Sequence, residues 1–567
     1  MEICISNKKI HKQQTSGNNM NDPRNTEKSE LDLLLVNPSH TRVYHEGLEA
    51  EGYPALESPY LAALTAEFAR NRGYGADILD ANVLGLSSDE ATARIVEANS
   101  RLTQIIVHGN QPSASSQLMG WVGEVCQKVK DSDSETKILL TGTHPAALPR
   151  KTLEEEACDF VGRGDGFDTA TALLKGAPNS QVPGLWYKES GKVVQGLPSK
   201  LMTNDDLSRG LSRAAWDLLP VKEYRAHDWH ALEDLDNRQP YGAVYTSFGC
   251  PFECSFCCIN APFNEEGETK NAIRFRNPKD VVDEIQFLVE EHGVRNLKII
   301  DEMFVLDRRH YMSIAKELIT RGLGERLNIW AYARVDTLRE DTLDTLRQAG
   351  IRWLALGIES ASDHVRDGIE KGRFGYEQIA KNVAMVQNAG IYVVGNFIFG
   401  LPDDTNRTMQ ETLDLSLELN CERPNFYCAM AYPGSELHRM AQNTSRTLKR
   451  AQSEVYQRGS LAVLDRLLPV PKDWNPNRAL LPEDEGGPGW LGYSQHAYET
   501  WPLPTEHLHP GEIIAFRDQA LAAYFTNKGY SEMLAQRFGV ENAQKFIKVN
   551  AKAPSRRLVV EQHQNGI

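Results

Sequence analysis

Short apolar segments alternate with amphipathic helical segments along most of this chain, and the alternation occurs in two separate series. Strands that alternate with helices predict parallel sheets covered by helices, with ligands bound at the carboxyl ends of the strands. The first series predicts a doubly wound domain over residues 31–175. Its predicted strands are 31–36, 76–79, 105–108, 137–140 and 160–161.

The second series predicts a partial (β/α)6 barrel over residues 241–442. One of its helical segments places Val282, Ile285, Leu288 and Val289 on a single apolar face. We expect the chemistry of such a barrel at the carboxyl ends of its strands. The predicted strands are 243–247, 297–300, 329–334, 353–358, 392–399 and 426–431.

The remaining parts of the chain lack this alternation and differ in composition. With 567 residues, the chain is too long for one hydrophobic core, so several domains are expected. Residues 1–30 are polar and predict a disordered tail, and residues 176–240 predict a linker. Residues 443–567 predict a mostly helical extension that covers the barrel mouth. The predicted fold is therefore α/β with three folded parts.

Charge and cysteine content narrow the classes of partner. There are 62 basic and 77 acidic residues, a formal net charge of -15, so no positive field favours nucleic acid or anionic lipid. No stretch approaches the roughly 20 apolar residues needed to span a bilayer. Nine cysteines are too few for a disulfide scaffold. We expect a monomer in a reducing cytoplasm.

Three of those cysteines, Cys250, Cys254 and Cys257, form a C-x3-C-x2-C motif directly after the first predicted barrel strand. Three thiolates on one loop can ligate three irons of a [4Fe-4S] cluster and leave the fourth iron open for a small molecule. Structural zinc is an alternative, but it usually takes four ligands, and no second pair lies at a suitable spacing. Three buried thiols without a ligand are the remaining interpretation.

The cysteine triplet, with Phe256 before its third cysteine, resembles the signature of the radical S-adenosylmethionine (radical SAM) superfamily. Further segments after successive strands resemble the cobalamin-linked branch of that superfamily. These segments are Asp301-Glu302, Ala333-Arg334-Val335-Asp336, Gly357-Ile358-Glu359-Ser360, Gly400-Leu401-Pro402 and Tyr432-Pro433-Gly434-Ser435. The resemblance covers about residues 31–442 and implies a [4Fe-4S] cluster, S-adenosyl-L-methionine (SAM) and cobalamin as cofactors.

The first domain is similar to the cobalamin-binding segment of the same branch. The Asp-x-His-x-x-Gly element, which supplies an axial histidine in methionine-synthase-like proteins, is absent. The resemblance therefore implies cobalamin bound without that histidine. Its implied cofactor-binding residues are Pro38, Asn110, Gly142, Thr143, His144 and Gly164. A loop-capping or solvated role remains an equal interpretation for His144.

In the barrel, the resemblance implies that Cys250, Cys254 and Cys257 are both the metal ligands and the catalytic residues. Four further side chains each have an assigned role and an alternative. Phe256 would pack beside the adenine of SAM or, alternatively, in the core, and Glu359 would bind the ribose hydroxyls or form an ion pair. Arg334 would bind the carboxylate of the ligand or form a structural salt bridge. Asp301 would contact the adenosyl group or the substrate, or cap the end of its strand.

The implied reaction is methyl transfer to an unactivated carbon of a small molecule, with phosphinate phosphorus precedented in the branch. A 5'-deoxyadenosyl radical would abstract a hydrogen, and methylcobalamin would supply the methyl group. An electron donor such as flavodoxin or ferredoxin is required. Two alternatives remain: a non-methylating cyclase, epimerase or rearrangement enzyme with the same cofactors, and a non-catalytic cobalamin or iron-sulfur carrier.

Overall fold

The structure is a computed structural model that describes residues 31–40, 54–263, 273–372, 374–452, 466–552 and 554–565. The predicted tail at residues 1–30 lies outside the described residues. Within them, no helix combines the length and the apolar character that crossing a bilayer requires.

The first sheet has seven strands in the order β2-β1-β3-β4-β5-β6-β7, and β1 to β5 pair in parallel. The strands are β1 Leu33–Asn37, β2 Ala76–Asp80, β3 Leu102–Val107, β4 Ile138–Gly142, β5 Phe160–Gly162, β6 Leu185–Glu189 and β7 Lys192–Gln195. The helices of this part are α1 Tyr60–Arg70, α2 Ser88–Ala98, α3 Met119–Ser132, α4 Thr143–Ala147, α5 Pro149–Glu155, α6 Phe167–Leu174 and α7 Asn204–Gly210. Buried aliphatic side chains on both faces of the sheet explain why its strands are nearly continuous apolar runs.

The hairpin of β6 and β7 lies inside residues 176–240, which the sequence analysis assigned to a linker. It adds two antiparallel strands to the edge of the first sheet. Trp186 and Tyr187 bury their rings against the sheet and hold the hairpin in place. This part of the chain is therefore folded structure rather than a simple connection, because only tertiary pairing reveals so short a hairpin.

The second sheet is the predicted partial barrel, with six parallel strands in the order β15-β14-β13-β12-β11-β8. Its strands, with a two-stranded ribbon of β9 and β10, are β8 Tyr241–Val244, β9 Ser247–Phe248, β10 Arg274–Phe275, β11 Asn296–Ile299, β12 Asn328–Arg334, β13 Ile351–Glu359, β14 Tyr392–Phe399 and β15 Arg423–Cys428. Its helices are α8 Pro278–His292, α9 Arg308–Thr320, α10 Glu340–Gln348, α11 Asp363–Gly368, α12 Tyr376–Asn388 and α13 Asn406–Leu419.

In the described part of the chain, β8 and β15 are the two edges of this sheet, so one side of the barrel is open. The first domain covers the β8 side, where Glu57 forms a buried ion pair with Lys298 of β11 at 2.8 Å. The C-terminal extension covers the β15 side, where the Tyr524 hydroxyl donates to the Cys421 carbonyl at 2.9 Å. The helices of the extension are α14 Glu436–Gln452, α15 Pro510–Phe525, α16 Lys528–Phe538, α17 Val540–Asn550 and α18 Arg557–Asn565.

One buried carboxylate joins the first domain, the connecting segment and the barrel. Glu284 on α8 pairs with Arg276 at 2.9 Å, and both side chains are at most 1% exposed. It also accepts hydrogen bonds from the Tyr60 hydroxyl at 2.7 Å, the Trp216 indole at 2.8 Å and the Ala214 backbone N–H at 2.8 Å. A buried charge with this many partners is stabilising only while the set is complete.

We predict that Glu284→Gln lowers the free energy of unfolding by about 3–5 kcal/mol, because the buried Arg276 guanidinium loses its counter-charge. Thermal and urea unfolding of the purified chain measure the effect. Glu290→Gln, an exposed change on the same helix, is the matched control and should stay within about 0.5 kcal/mol of wild type. Equal stability of the two variants would contradict the role of Glu284.

Candidate active site between the two sheets

The loop after β9 carries the cysteine motif at the carboxyl end of the barrel. Asn260 fixes the shape of this loop: its side-chain amide donates to the Cys250 carbonyl at 2.9 Å, and its oxygen accepts from the Cys250 N–H at 3.3 Å. A turn follows in which the Cys257 N–H donates to the Cys254 carbonyl at 3.0 Å. The three motif cysteines all line one cavity of about 280 Å³, which we call the cysteine cavity.

The other walls of the cysteine cavity come from both sheets. The barrel contributes residues at or just after the carboxyl ends of β11 to β14, and the first domain contributes the loop after β3. These residues are Glu302, Arg334, Glu359, Ile398 and the segment 110–113. The predicted residues Phe256, Arg334, Glu359 and Asn110 therefore share one cavity with the three cysteines.

Charged side chains next to the cysteines are arranged as balanced pairs. Lys371 donates to Glu359 at 2.7 Å, and both are buried. Arg334 forms a two-pronged ion pair with Asp336, with both N–O distances 2.9 Å, and its remaining N–H group points toward the Cys254 sulfur at 3.7 Å. Glu359 and Arg334 therefore form the ion pairs that the sequence analysis gave as alternatives, and both side chains also face the cavity.

The thiol pKa values follow from this environment. Burial raises the pKa of Cys250 to about 11. Burial also raises the pKa of Cys254, although the charges of Lys371 and Arg334 act in the opposite direction. Thiolates at these positions therefore need a positive partner such as a metal centre.

Within the described ranges, no three ligand-type side chains converge closely enough to hold a single metal ion. A [4Fe-4S] cube binds each thiolate to a different iron, so its three protein ligands stand around the cube rather than meeting at one point. Three thiols on one loop that face one cavity fit the cube.

Asp301 lies differently from the sequence expectation. It is fully buried behind β8, where it accepts hydrogen bonds from the Ser247 hydroxyl at 2.6 Å and from the backbone and hydroxyl of Thr246. Asp301 does not line the cysteine cavity, and its hydrogen bonds match the strand-cap alternative. The neighbouring carboxyl of Glu302 faces the cavity instead, and burial raises its pKa to about 8.

Lys371 and Glu302 are among the cavity residues to which the sequence analysis did not assign a role. Glu302 was visible as the second residue of Asp301-Glu302, but the sequence did not show which of the two carboxylates points into the barrel. Lys371 follows helix α11 rather than a strand, so strand-end reasoning had no signal for it.

The loop after β3 is the part of the first domain that reaches the cavity. The Asn110 carbonyl accepts a hydrogen bond from the Lys298 ammonium at 2.8 Å, and the Gln111 side chain accepts from the Tyr332 hydroxyl at 3.2 Å. Both contacts tie this loop to barrel strands. They place amide side chains opposite the cysteine loop.

The other predicted cofactor-binding residues of the first domain do not line the cysteine cavity. Pro38 is buried at the end of β1, and the Gly164 N–H donates to the Pro262 carbonyl of the cysteine segment at 2.8 Å. The Thr143 hydroxyl forms a hydrogen bond with Nδ1 of His108 at 3.3 Å. Of these contacts, the one from Gly164 joins the first sheet to the segment that carries the cysteines.

His144 is enclosed by protein. Its ring lies edge-on to Trp490 of the C-terminal extension with centroids 4.5 Å apart, and its Nδ1 bonds the Ser116 hydroxyl at 2.9 Å. Burial lowers the pKa of His144 to about 3, so the ring is neutral at physiological pH. This environment matches the loop-capping interpretation, and it excludes a solvated histidine.

A second cavity of about 190 Å³, which we call the inner chamber, continues from the cysteine cavity along the barrel interior. The two share wall residues from β11, β12, β14 and β15 and from the loop after β3. The shared residues include Asn110, Gln111, Lys298, Tyr332, Asn396 and Tyr427. The two cavities are therefore adjacent and share these side chains as a common wall.

Comparison with known proteins supports this architecture. Residues 244–416 match the Radical SAM superfamily. An uncharacterised methyltransferase of Pyrococcus horikoshii is 28% identical over 412 residues, which are 72% of this chain and 82% of that protein. The anaerobic magnesium-protoporphyrin IX monomethyl ester cyclase of Cereibacter sphaeroides is 28% identical over 312 residues, 53% of this chain and 47% of the cyclase.

Among solved structures, the radical S-adenosylmethionine methyltransferase TsrM from Kitasatospora setae, with cobalamin and a [4Fe-4S] cluster bound, has the same fold. The TM-score is 0.62 with 16% identity, and the match covers 91% of this chain and 99% of TsrM. The fold predicted from the sequence, a doubly wound domain followed by a partial parallel barrel and a mostly helical extension, is confirmed.

Gly142 provides a test of the backbone conformation at the end of β4, next to β3 in the first sheet. Its φ is +104°, and an added Cβ would lie 2.2 Å from the Val107 carbonyl oxygen. We predict that Gly142→Ala lowers the free energy of unfolding by at least about 1–3 kcal/mol, the usual cost of such backbone strain. Urea unfolding followed by circular dichroism measures it.

The matched control is Gly120→Ala, an exposed helical position on α3 with no atom within 4 Å of an added Cβ. We expect this control to stabilise the chain by roughly 0.5–1 kcal/mol. A Gly142→Ala protein as stable as the control would show that the backbone at residue 142 is not constrained.

Proposed function

We propose that this chain, whose residues 244–416 match the Radical SAM superfamily, is a cobalamin-dependent radical SAM enzyme that methylates an unactivated carbon of a small molecule. The observation that supports this function is the cysteine cavity itself. One space is bounded by three thiols, by the strand ends of the barrel and by the strand-end loop of the first domain. Such a space can hold an acceptor between two cofactors.

Cys250, Cys254 and Cys257 would each ligate one iron of a [4Fe-4S] cluster. When bound, the cluster supplies the electron that cleaves SAM to methionine and a 5'-deoxyadenosyl radical. The protein contributes the placement of SAM and the exclusion of water. The loop shape fixed by Asn260 keeps the three thiols facing the cavity.

Glu359 and Lys371 are the side chains that we propose for binding the polar parts of SAM. Glu359 has a left-handed backbone with φ +67°, an uncommon conformation that turns its side chain at the end of β13. Its carboxylate can accept hydrogen bonds from ribose hydroxyls, while the cationic Lys371 and Arg334 can hold the SAM carboxylate. Phe256, half-buried on the cysteine loop, offers an apolar surface for the adenine.

The walls of the two cavities also fit a corrin. The corrin rim carries neutral amide groups, and the walls present amide side chains of complementary hydrogen-bonding type. They are Asn110, Gln111, Gln117, Asn396, Asn425 and Gln495. When bound, cobalamin supplies a methyl group for a carbon radical. We propose that the loop after β3 holds cobalamin. His144 would stabilise the neighbouring loop and would not ligate the cobalt.

We propose carbon as the atom that accepts the methyl group, and phosphorus as the alternative acceptor. The cyclase relative favours a second candidate, a radical reaction with the same cofactors and no methyl transfer. The products distinguish the two. Methyl transfer yields S-adenosylhomocysteine together with 5'-deoxyadenosine, whereas a non-methylating reaction yields 5'-deoxyadenosine without S-adenosylhomocysteine.

The decisive experiment is anaerobic reconstitution with iron, sulfide and hydroxocobalamin, followed by reaction with reduced flavodoxin and SAM carrying a deuterated methyl group. We expect 5'-deoxyadenosine from wild type and none from Cys254→Ala, because one iron loses its ligand. Cys158→Ala, a buried cysteine outside the cavity, should retain wild-type yield. Failure of wild type to cleave SAM would favour a carrier protein and overturn the proposal.

We also predict that Glu359→Gln weakens SAM binding about tenfold or more, because the neutral amide loses a charge-assisted acceptor and leaves Lys371 unpaired. Equilibrium dialysis of cluster-loaded protein against labelled SAM measures the affinity. The control is Glu377→Gln, an exposed change on α12. Unchanged affinity in the Glu359 variant would remove that residue from the SAM site.

A further inference from the structure

A line of tyrosine and tryptophan rings runs through the barrel interior, and we call it the aromatic path. It begins at Tyr332, which lines both cavities near the carboxyl end of β12. Trp330 comes next, because it precedes Tyr332 on the same face of that strand. Trp229 then bridges two strands, since its ring lies edge-on to both Trp330 and Trp353 of β13. The path ends at Tyr392, the first residue of β14.

Neighbouring rings of the aromatic path are in contact along its whole length. The ring centroids are 5.0 Å apart for Tyr332 and Trp330, 5.2 Å for Trp330 and Trp229, 5.3 Å for Trp229 and Trp353, and 4.8 Å for Trp353 and Tyr392. The tryptophans are all at most 5% exposed. Electron transfer between aromatic rings weakens steeply with their separation. Rings in direct contact can therefore pass an electron in short steps.

The two ends of the aromatic path have different surroundings. The Tyr332 hydroxyl lies at the cavities, where it donates to the Gln111 side chain at 3.2 Å. Tyr392 is half-buried, and its hydroxyl donates to the carboxylate of the exposed Glu233 at 2.8 Å. A carboxylate at this distance can take the phenolic proton. Tyr392 can therefore lose an electron and a proton at a position that an outside reductant can approach.

The other face of the same sheet carries a different kind of ring. There Phe426 of β15 packs against Phe397 and Phe399 of β14, with centroids 5.6 and 5.3 Å apart. Phenylalanine fills a core as tryptophan does, but its ring is much harder to oxidise than those of tyrosine and tryptophan. Among these strand residues, the rings suited to one-electron chemistry therefore lie on the cavity side of the sheet.

We propose that the aromatic path carries an oxidising equivalent out of the cysteine cavity when a 5'-deoxyadenosyl radical forms there with no acceptor bound. This inference rests on the proposed function, because it needs that radical in the cavity. It adds a second function, the protection of cavity side chains from unproductive oxidation. The path consists of ring contacts within the walls, so it needs no free space and is compatible with the amide side chains proposed for the corrin.

Atoms and electrons balance in this sequence of steps. Tyr332 gives its hydroxyl hydrogen atom to the radical, which becomes 5'-deoxyadenosine, and Tyr332 is left as a phenoxyl radical. One electron from Tyr392, passed through the tryptophans, and one proton from water in the cavity restore Tyr332. Tyr392 gives its hydroxyl proton to Glu233 as it loses the electron. A one-electron reductant such as reduced flavodoxin, together with the proton held by Glu233, returns Tyr392 to its initial state.

The test uses the full chain reconstituted anaerobically with iron, sulfide and hydroxocobalamin. It is incubated with SAM, reduced flavodoxin and the nitrone spin trap DMPO, without an acceptor. Peptide mass spectrometry locates the trap adducts, and 5'-deoxyadenosine is measured in the same samples. We expect an adduct on Tyr392 in wild type. In Trp353→Phe this adduct should fall to the level of a sample without SAM, because the new ring is not oxidised.

Trp353→Tyr is the variant that separates electron transfer from packing. It also removes the indole, but tyrosine can be oxidised, so the adduct on Tyr392 should return. A role in packing alone would give the same result for both substitutions. The matched control is Trp121→Phe, at a buried tryptophan of α3 outside the path, which should keep the wild-type adduct. Thermal unfolding of every variant verifies the fold.

The first step has an independent readout in deuterated water. The hydroxyl of Tyr332 then carries deuterium, so transfer of its hydrogen atom places deuterium in 5'-deoxyadenosine. We expect deuterated 5'-deoxyadenosine from wild type in the absence of the trap, and loss of that deuterium in Tyr332→Phe. Equal incorporation of deuterium by the two proteins would overturn Tyr332 as the start of the path.

The outcomes distinguish failure of the aromatic path from failure of the proposed function. Formation of 5'-deoxyadenosine by wild type without an adduct on Tyr392 would overturn the path and leave the radical chemistry standing. An adduct that persists in Trp353→Phe would overturn the path as well, because the electron would then have another route. Absence of 5'-deoxyadenosine from wild type would overturn both proposals, because no radical would reach Tyr332.

Discussion

The carboxylate of Glu284 is the contact on which the position of the two sheets depends. It binds Arg276 of the barrel, Tyr60 of the first domain and Trp216 of the connecting segment, all within 2.9 Å. A buried charge of this kind contributes to specificity more than to net stability, because other relative positions of the domains would leave it unpaired. The cysteine cavity exists only because the loop after β3 is held opposite the cysteine loop.

Within that cavity, the charges nearest the cysteines are paired before any ligand binds. Lys371 with Glu359 and Arg334 with Asp336 keep four buried or half-buried charges in fixed geometry. Such pairs can exchange partners with the carboxylate and ribose of SAM at lower cost than isolated charges could be buried. This arrangement gives a physical reason for a strained backbone at Glu359, which aims the carboxylate at the cavity.

The C-terminal extension contributes to both cavities, although its sequence carries no motif with a secure chemical role. Its Gln495 side chain bonds both backbone groups of Cys428 at the end of β15, at 2.9 and 3.0 Å. Trp490 covers His144, and Arg517 reaches the inner chamber. The extension therefore completes the open side of the barrel and contributes side chains to the walls of both cavities.

The sequence by itself determined the fold class, the succession of strands and helices along the chain and the loop that carries the cysteine motif. These features depend on local patterns: apolar runs, helical periodicity and cysteine spacing. It could place Glu359 and Arg334 at strand ends for the same reason. Only the tertiary structure decided that Glu302 rather than Asp301 faces the cavity, since adjacent side chains of an extended chain point in opposite directions. It also placed Lys371, in the loop after α11, in the cysteine cavity and Arg517 of α15 in the inner chamber, and it enclosed His144 beneath Trp490. Those outcomes depend on packing between segments more than 100 residues apart in several cases, and no local pattern encodes such contacts.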